Sequence, residues 1–498
     1  MGQQLREGLA KQSERISTFL FAMPDKLVWQ GCALFTLLAY LFWWHWIGQF
    51  PLQLTSDDAL NFARGVERFS VLEFRPHFPG YPAFIGFARF AALWVEPNTA
   101  AIWVSLLSAM LIPLAVARLI HLCSLSLVAA TLGGVLALTQ PLLASMALSG
   151  LSDASAILLL LVALAAAIQK QYWRVGLWLG LMLATRPSYV VLAFAVAAVP
   201  WWQGLHRQLG LVGLTKAFLK ACCSLVLVGG VSLTFIWAHD GAAYISEGIR
   251  FTQGHFAIWG NTVEGNDTTL WQWVIALRNG FGGALLLASL LSLSVAIVIA
   301  IASIKPIWLK RSRLDALSSP ELAALATVAS LYWVWISVGQ NPDNLRHWAP
   351  VLFLVLVVIP VQTARLVQGR PVLFVVVLGL ISYYCGSNID AMVPSFKQDL
   401  IQRQAPIQQA IQWIRTQPTI KVVGTNYSVN LLRSQLQGRA VYDMYYPSSE
   451  RALREQAYQN PNSAWRISGT QLPGLKLEAQ FAPRFIGERG LFLYQISQ

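Results

Sequence analysis

A chain of 498 residues that is 56% hydrophobic and only 12% charged, with a mean hydropathy of +0.52, carries too much apolar surface for a soluble core. It reads as a polytopic membrane protein. The net charge of +13 does not point to nucleic acid, because Lys and Arg fall between hydrophobic stretches and form no single patch.

The polar, mildly basic first 18 residues carry no cleavage pattern, so they read as a retained cytoplasmic tail ahead of an uncleaved first helix. At about 20 apolar residues per crossing, spans are expected near 27–48, 99–120, 125–140, 154–167, 222–238, 281–304, 322–338, 348–362 and 372–384. The stretch 175–202 is expected to cross twice, as two short helices meeting at Thr185, Arg186 and Pro187, since proline disfavours helix in the residue before it. The expected fold class is a polytopic α-helical membrane protein of about 11 transmembrane helices, N-terminus inside and C-terminus outside. Short-loop Lys and Arg then number 16 inside and 8 outside, the expected bias. Five cysteines, Cys32, Cys123, Cys222, Cys223 and Cys385, show neither metal-ligand spacing nor a disulfide framework and read as packing residues.

After the first span comes TSDDALNFARG, with Asp57 and Asp58 side by side at the lip of the membrane, where a charge is costly unless used or neutralised. Capping of the following helix by Ser56 or Asp57 is the structural alternative. From Asp58 onward, Ala59, Phe62, Ala63, Val66 and Phe69 recur at helical spacing, as in an amphipathic helix lying on the bilayer. RPHFPGYPAFIGFARFAALW then breaks into a proline-rich turn holding His77 and Tyr81, so that the first outer loop, 50–97, folds back over a cavity.

Asp153, in LSGLSDASAILLL, heads another span, where capping with Ser152 is the simpler reading. Arg186 lies inside an apolar hairpin, where a guanidinium without a partner is costly. Arg346 and His347, in GQNPDNLRHWAP, head a later span as interfacial anchors or as phosphate contacts. The loop from His239 to Arg278 mixes aromatics and acids in the manner of a carbohydrate lid or an interfacial belt. Beyond Tyr384 the composition turns polar. KVVGTNY, RAVYDMYY and GLFLYQI read as strands and the stretches 429–436 and 449–458 as helices, a small α/β layer. The expected division is a membrane domain over 1–387 and a soluble extracytoplasmic domain over 388–498.

SDDALNFARG, RPHFPGYPAFIG, LSGLSDASAILLL, GLWLGLMLATRPSYVVL and NLRHWAP, in that order, resemble the landmarks of the GT-C superfamily of polyprenyl-phosphate-sugar-dependent glycosyltransferases. The likeness is strongest to the bacterial protein-mannosyltransferase and aminoarabinose-transferase-like group. The first acidic pair departs from that group's frequent Asp-Glu. The resemblance implies transfer of a sugar from a polyprenyl-phosphate donor to a glycolipid, glycan or protein acceptor by an inverting displacement at the outer face of the cell membrane. It implies Asp57 as general base, with Asp58 and Asp153 supporting it or holding a divalent cation such as Mg or Mn. His77, Tyr81, Arg186, Arg346 and His347 would bind substrate. A transporter or lipid flippase would place its ion sites near the midplane and show internal repeats, and a polysaccharide polymerase would commonly lack the acidic loop and soluble tail.

Overall fold

The protein is described from a computed structural model, over residues 25–205, 210–259, 270–282, 285–286, 289–294, 319–340, 344–368 and 370–496. The parts of the expected span 281–304 beyond these residues, the N-terminal tail, Arg207, and the basic run from Lys305 to Arg313 lie outside them.

Apolar composition makes the membrane part helical, since a backbone in lipid must satisfy its own hydrogen bonds. Helices α1 (Asp25–Ile47), α2 (Asp57–Glu67), α3 (Pro82–Ala91) and α4 (Pro97–Ser124) bring the chain through its first loop. Next come α5 (Leu127–Leu138), α6 (Pro141–Ala147), α7 (Asp153–Ile168) and α8 (Tyr172–Thr185). The 3-10 turn Pro187–Tyr189 leads into α9 (Val190–Ala195) and α10 (Ala198–Leu205), and α11 (Leu211–Asp240), α12 (Ala243–Trp259) and α13 (Leu270–Phe281) follow. The bundle closes with α14 (Pro320–Gly339), α15 (Ala349–Val367) and α16 (Pro371–Met392).

Among the described residues six helical segments are long and apolar enough to cross a membrane, or seven if the pair α5 and α6, bent by 62°, makes one span. The eleven crossings expected are therefore not all present as full-length helices. Chain breaks account for much of the difference: α8 holds 14 residues, about 21 Å at 1.5 Å each, and α9 and α10 are shorter still. The break expected at Thr185–Pro187 is present, with α8 ending at Thr185. The short helices sit inside the bundle: Leu160, Leu164, Met182 and Leu192 are fully buried. Close approach holds them there. A Cβ on Gly176 would lie 1.8 Å from the Ala221 carbonyl, and one on Gly180 would lie 2.7 Å from Val228, so this four-residue glycine spacing lets α8 lie directly on α11.

The C-terminal part, expected from the sequence to be soluble, follows a 3-10 turn at Val393–Lys397. It holds α17 (Pro406–Thr416), β1 (Val422–Thr425), α18 (Val429–Gln435), β2 (Ala440–Asp443), α19 (Pro447–Gln459), β3 (Ala464–Ser468), β4 (Lys476–Phe481) and β5 (Leu491–Gln495). The sheet order is β2-β1-β3-β5-β4, with β1 parallel to β2 and β3, and β5 antiparallel to β3 and β4. The expected α/β layer is present, and α17, β3 and β4 add to it.

Three contacts seat this layer on the bundle. Phe485 packs edge-on against Phe50 and Trp46, with centroids 4.6 and 5.7 Å away. The Gln408 side-chain amide donates to the Leu54 carbonyl at 2.8 Å. Arg403 donates to the Gln49 side-chain oxygen at 2.9 Å.

Candidate active site

The first loop is tied down from several sides. Ser56 caps α2, its hydroxyl accepting from the Ala59 amide. Arg89 of α3 donates to the carbonyls of Val66 and Gly65, which satisfies the other end of α2. Asp240, at the end of α11, accepts from the Ser70 hydroxyl at 2.6 Å and the Val71 amide at 2.7 Å. The apolar face of α2 is buried in protein and does not lie on the bilayer as expected: Ala59, Phe62 and Val66 pack with Phe84, Ile85, Val104 and Leu151.

Phe62, one turn beyond Asp58, meets the Tyr81 ring edge-on at 5.0 Å and the tilted His77 ring at 5.4 Å. This draws the proline-rich turn to the first acid. His77 Nδ1 lies 3.6 Å from Asp58 Oδ1, and His77 Nε2 lies 3.1 Å from the Tyr81 hydroxyl. Arg346, in the 3-10 turn Leu345–Trp348 ahead of α15, places a guanidinium nitrogen 3.8 Å from Asp58 Oδ2. His347 faces the other way in that turn, 3.0 Å from the Asn344 amide nitrogen.

The second acid has a different setting. Arg186 pairs with Asp153: one terminal nitrogen donates to Oδ2 at 3.2 Å and the other lies 3.0 Å from Oδ1 as an ion-pair contact, with side chains 9% and 1% exposed. Ser152 makes no cap with its side chain; it accepts from Arg186 at 3.4 Å instead. The Arg186 guanidinium also stands 5.3 Å over the Tyr189 ring, which meets Tyr332 of α14 edge-on at 5.8 Å. Tyr189, three residues after Arg186 and fully buried, was visible only as the tyrosine of TRPSY, and nothing in the pattern of α14 marks Tyr332.

The two settings meet at Tyr81. Burial pushes its phenol up to about 12, with Arg186 and Arg346 lowering it and Asp58 and Asp153 raising it, so all four charges are within electrostatic reach of one ring. Tyr81 therefore stays a hydrogen-bond donor at neutral pH. Among the described residues the buried Nε–H groups of Arg186 and Arg346 have no hydrogen-bond partner, and such a donor needs an acceptor.

Asp57 is beside Asp58 in the chain but turned elsewhere. Its two oxygens accept from the backbone amides of Leu431, at 2.8 Å, and Asn430, at 3.2 Å, in the soluble part. Burial holds its carboxyl above the usual range, these amides working against that.

Among the described residues no three of His, Cys, Asp and Glu stand close enough together to hold a metal ion. Asp57 is engaged by amides, Asp58 lies against Arg346 and His77, and Asp153 is paired with Arg186, whereas a hard divalent cation takes several converging oxygens.

No family model and no curated protein matches the sequence. Solved structures do match the fold. ArnT from Cupriavidus metallidurans bound to undecaprenyl phosphate superposes with a TM-score of 0.53 at 13% identity, covering 93% of this chain and 97% of that one. The Archaeoglobus fulgidus oligosaccharyltransferase in complex with Zn and sulfate gives a TM-score of 0.51 at 11% identity, over 87% of this chain and 67% of that one. The same organism's oligosaccharyltransferase AglB, in complex with an inhibitory peptide and a dolichol-phosphate, gives 0.50 at 12% identity, over 90% and 70%. The chain therefore shares its fold with these solved structures.

Proposed function

We propose that this protein is an integral membrane glycosyltransferase that moves a sugar from a polyprenyl-phosphate donor to an extracytoplasmic glycolipid, glycan or protein acceptor by an inverting single displacement. The observation that carries the reading is Asp58 standing against Arg346, whose buried Nε–H has no hydrogen-bond partner among the described residues, with Arg186 and Asp153 within electrostatic reach of the same Tyr81. The neighbours with undecaprenyl phosphate and dolichol-phosphate bound support the donor class.

In this reading Asp58 takes the proton of an acceptor hydroxyl as its oxygen attacks the anomeric carbon. The bond from that carbon to the phosphate oxygen breaks, and its electron pair stays on the phosphate. Arg346 and Arg186 offer N–H groups to the charge that develops there. Asp153 holds Arg186 charged and aimed, because a guanidinium buried at this depth needs a counter-ion. His77 and Tyr81 orient Asp58 from the other side. The soluble part lies on the extracytoplasmic side in this topology, with the N-terminus in the cytoplasm.

The test is purified protein given a labelled polyprenyl-phosphate sugar and a membrane lipid extract as the acceptor pool. Release of free polyprenyl phosphate with label appearing in acceptor supports the proposal. Label crossing sealed vesicles still attached to its carrier indicates a flippase and overturns it.

A further inference from the structure

Successive residues of a helix point about 100° apart, so Asp57 and Asp58 leave the first turn of α2 in different directions. Asp58 and Phe62, one turn apart, face His77 and Tyr81. Asp57 and Leu60 face the soluble part. Leu60 is 6% exposed and belongs to the soluble part's own core, with Leu431, Leu432 and Ile411. Asp57 takes the first amides of α18, which have no acceptor within that helix. Arg433, also on α18, lies within electrostatic reach of Asp57. The opposite side of α2 is locked into the bundle through Ala59 and Val66. Thus α2 is clamped between two bodies, and the clamp closes at the residue next to the proposed base.

We propose that Asp57 is a positioning residue: through α18 the soluble part holds the first turn of α2 so that Asp58 is presented to Arg346. The soluble part is then a working piece of the active site. This rests on the reading of Asp58 as base. It also divides the acidic pair, one carboxylate reacting and the other holding the first in place, and it explains why Asp57 faces amides while Asp58 faces a guanidinium.

The experiment measures carrier release in full-length Asp57→Ala, Asp57→Asn and Asp58→Asn proteins, with hydrogen exchange followed over 57–67 and 429–435. Asp57→Ala removes the acceptor and lowers turnover by about 100-fold through misplacement, with faster exchange in both segments. Asp57→Asn keeps an oxygen for the amides, so its turnover stays within about tenfold, the worth of one weakened hydrogen bond, and the acid limb of its kcat/KM profile does not move. Asp58→Asn loses about 10²- to 10⁴-fold with exchange unchanged.

Asp57→Asn as inactive as Asp58→Asn, with 429–435 still protected, would make Asp57 the base and overturn the positioning role while leaving the glycosyltransferase reading intact. Wild-type protein that releases no carrier would strike that reading instead. The exchange data stand apart from turnover: unchanged protection of 429–435 in Asp57→Ala removes the clamp whatever the activity.

Discussion

The two acidic centres at this mouth differ in what surrounds them. Asp153 is 1% exposed and paired with a buried Arg186, 9% exposed, which donates to one of its oxygens at 3.2 Å. Asp58 is 42% exposed, and its contacts to Arg346 and His77 are longer, at 3.8 and 3.6 Å. A buried ion pair is costly to break and suits a fixed scaffold. An open carboxylate with loose contacts can exchange them for a substrate hydroxyl. Burial and pairing set the two carboxylates apart, and sequence position does not.

The contrast breaks first at the buried pair. Asp153→Ala leaves Arg186 uncompensated and is expected to cost about 3–5 kcal/mol, read as a fall in the melting temperature of detergent-purified protein. Asp153→Ala with Arg186→Met recovers most of that stability and none of the turnover. If the single variant melts like wild type, the pair is not a scaffold.

At the open centre, Arg346→Ala is expected to lower kcat by about 10²- to 10³-fold, as for loss of one donor to a developing oxyanion, with the melting temperature nearly unchanged. Arg346→Lys restores part of it, because an ammonium supplies charge without the fork. A large drop in melting temperature in Arg346→Ala would erase the difference between the two centres.

Tyr81→Phe removes the hydroxyl that meets His77 and is expected to cost about 1 kcal/mol, several-fold in kcat/KM. Because burial holds the Tyr81 phenol near 12, no alkaline limb below pH 10 should disappear with it.

The smallest effect is the pH dependence of stability that Asp57 contributes. Its carboxyl titrates above the usual value on folding, chiefly through burial. Protonation therefore favours the folded form, and this contribution is present below the unfolded value and is lost as pH rises through the raised one. Stability scans from pH 3.5 upward should show that decline in wild-type protein and a shallower one in Asp57→Asn.

Much of this was legible in the sequence because membranes impose strong patterns. The long apolar helices, the break at Thr185–Pro187 and the polar tail follow from hydropathy and proline chemistry. The crossing count is not confirmed: the two crossings expected over 175–202 are helices shorter than a full span that owe their place to contacts such as Gly176 on Ala221. The landmarks Asp58, His77, Tyr81, Asp153, Arg186 and Arg346 were each visible as polar residues at span mouths, and the fold brings them to one place. What the chain order hid was partnership. Asp153 looked like a cap and is Arg186's counter-ion. Asp57 was expected to be the general base with Asp58 in support, yet it reaches α18, more than 370 residues away, and leaves that role to Asp58 in the proposed mechanism. No periodicity encodes a contact of that range.

The most direct measurement is a single-turnover comparison of wild-type and Asp58→Asn protein at saturating labelled polyprenyl-phosphate sugar, with donor occupancy checked by retention of the label. The account predicts equal occupancy, with carrier release slowed by about 10²- to 10⁴-fold in the variant. Equal rates of release in the two proteins would contradict it.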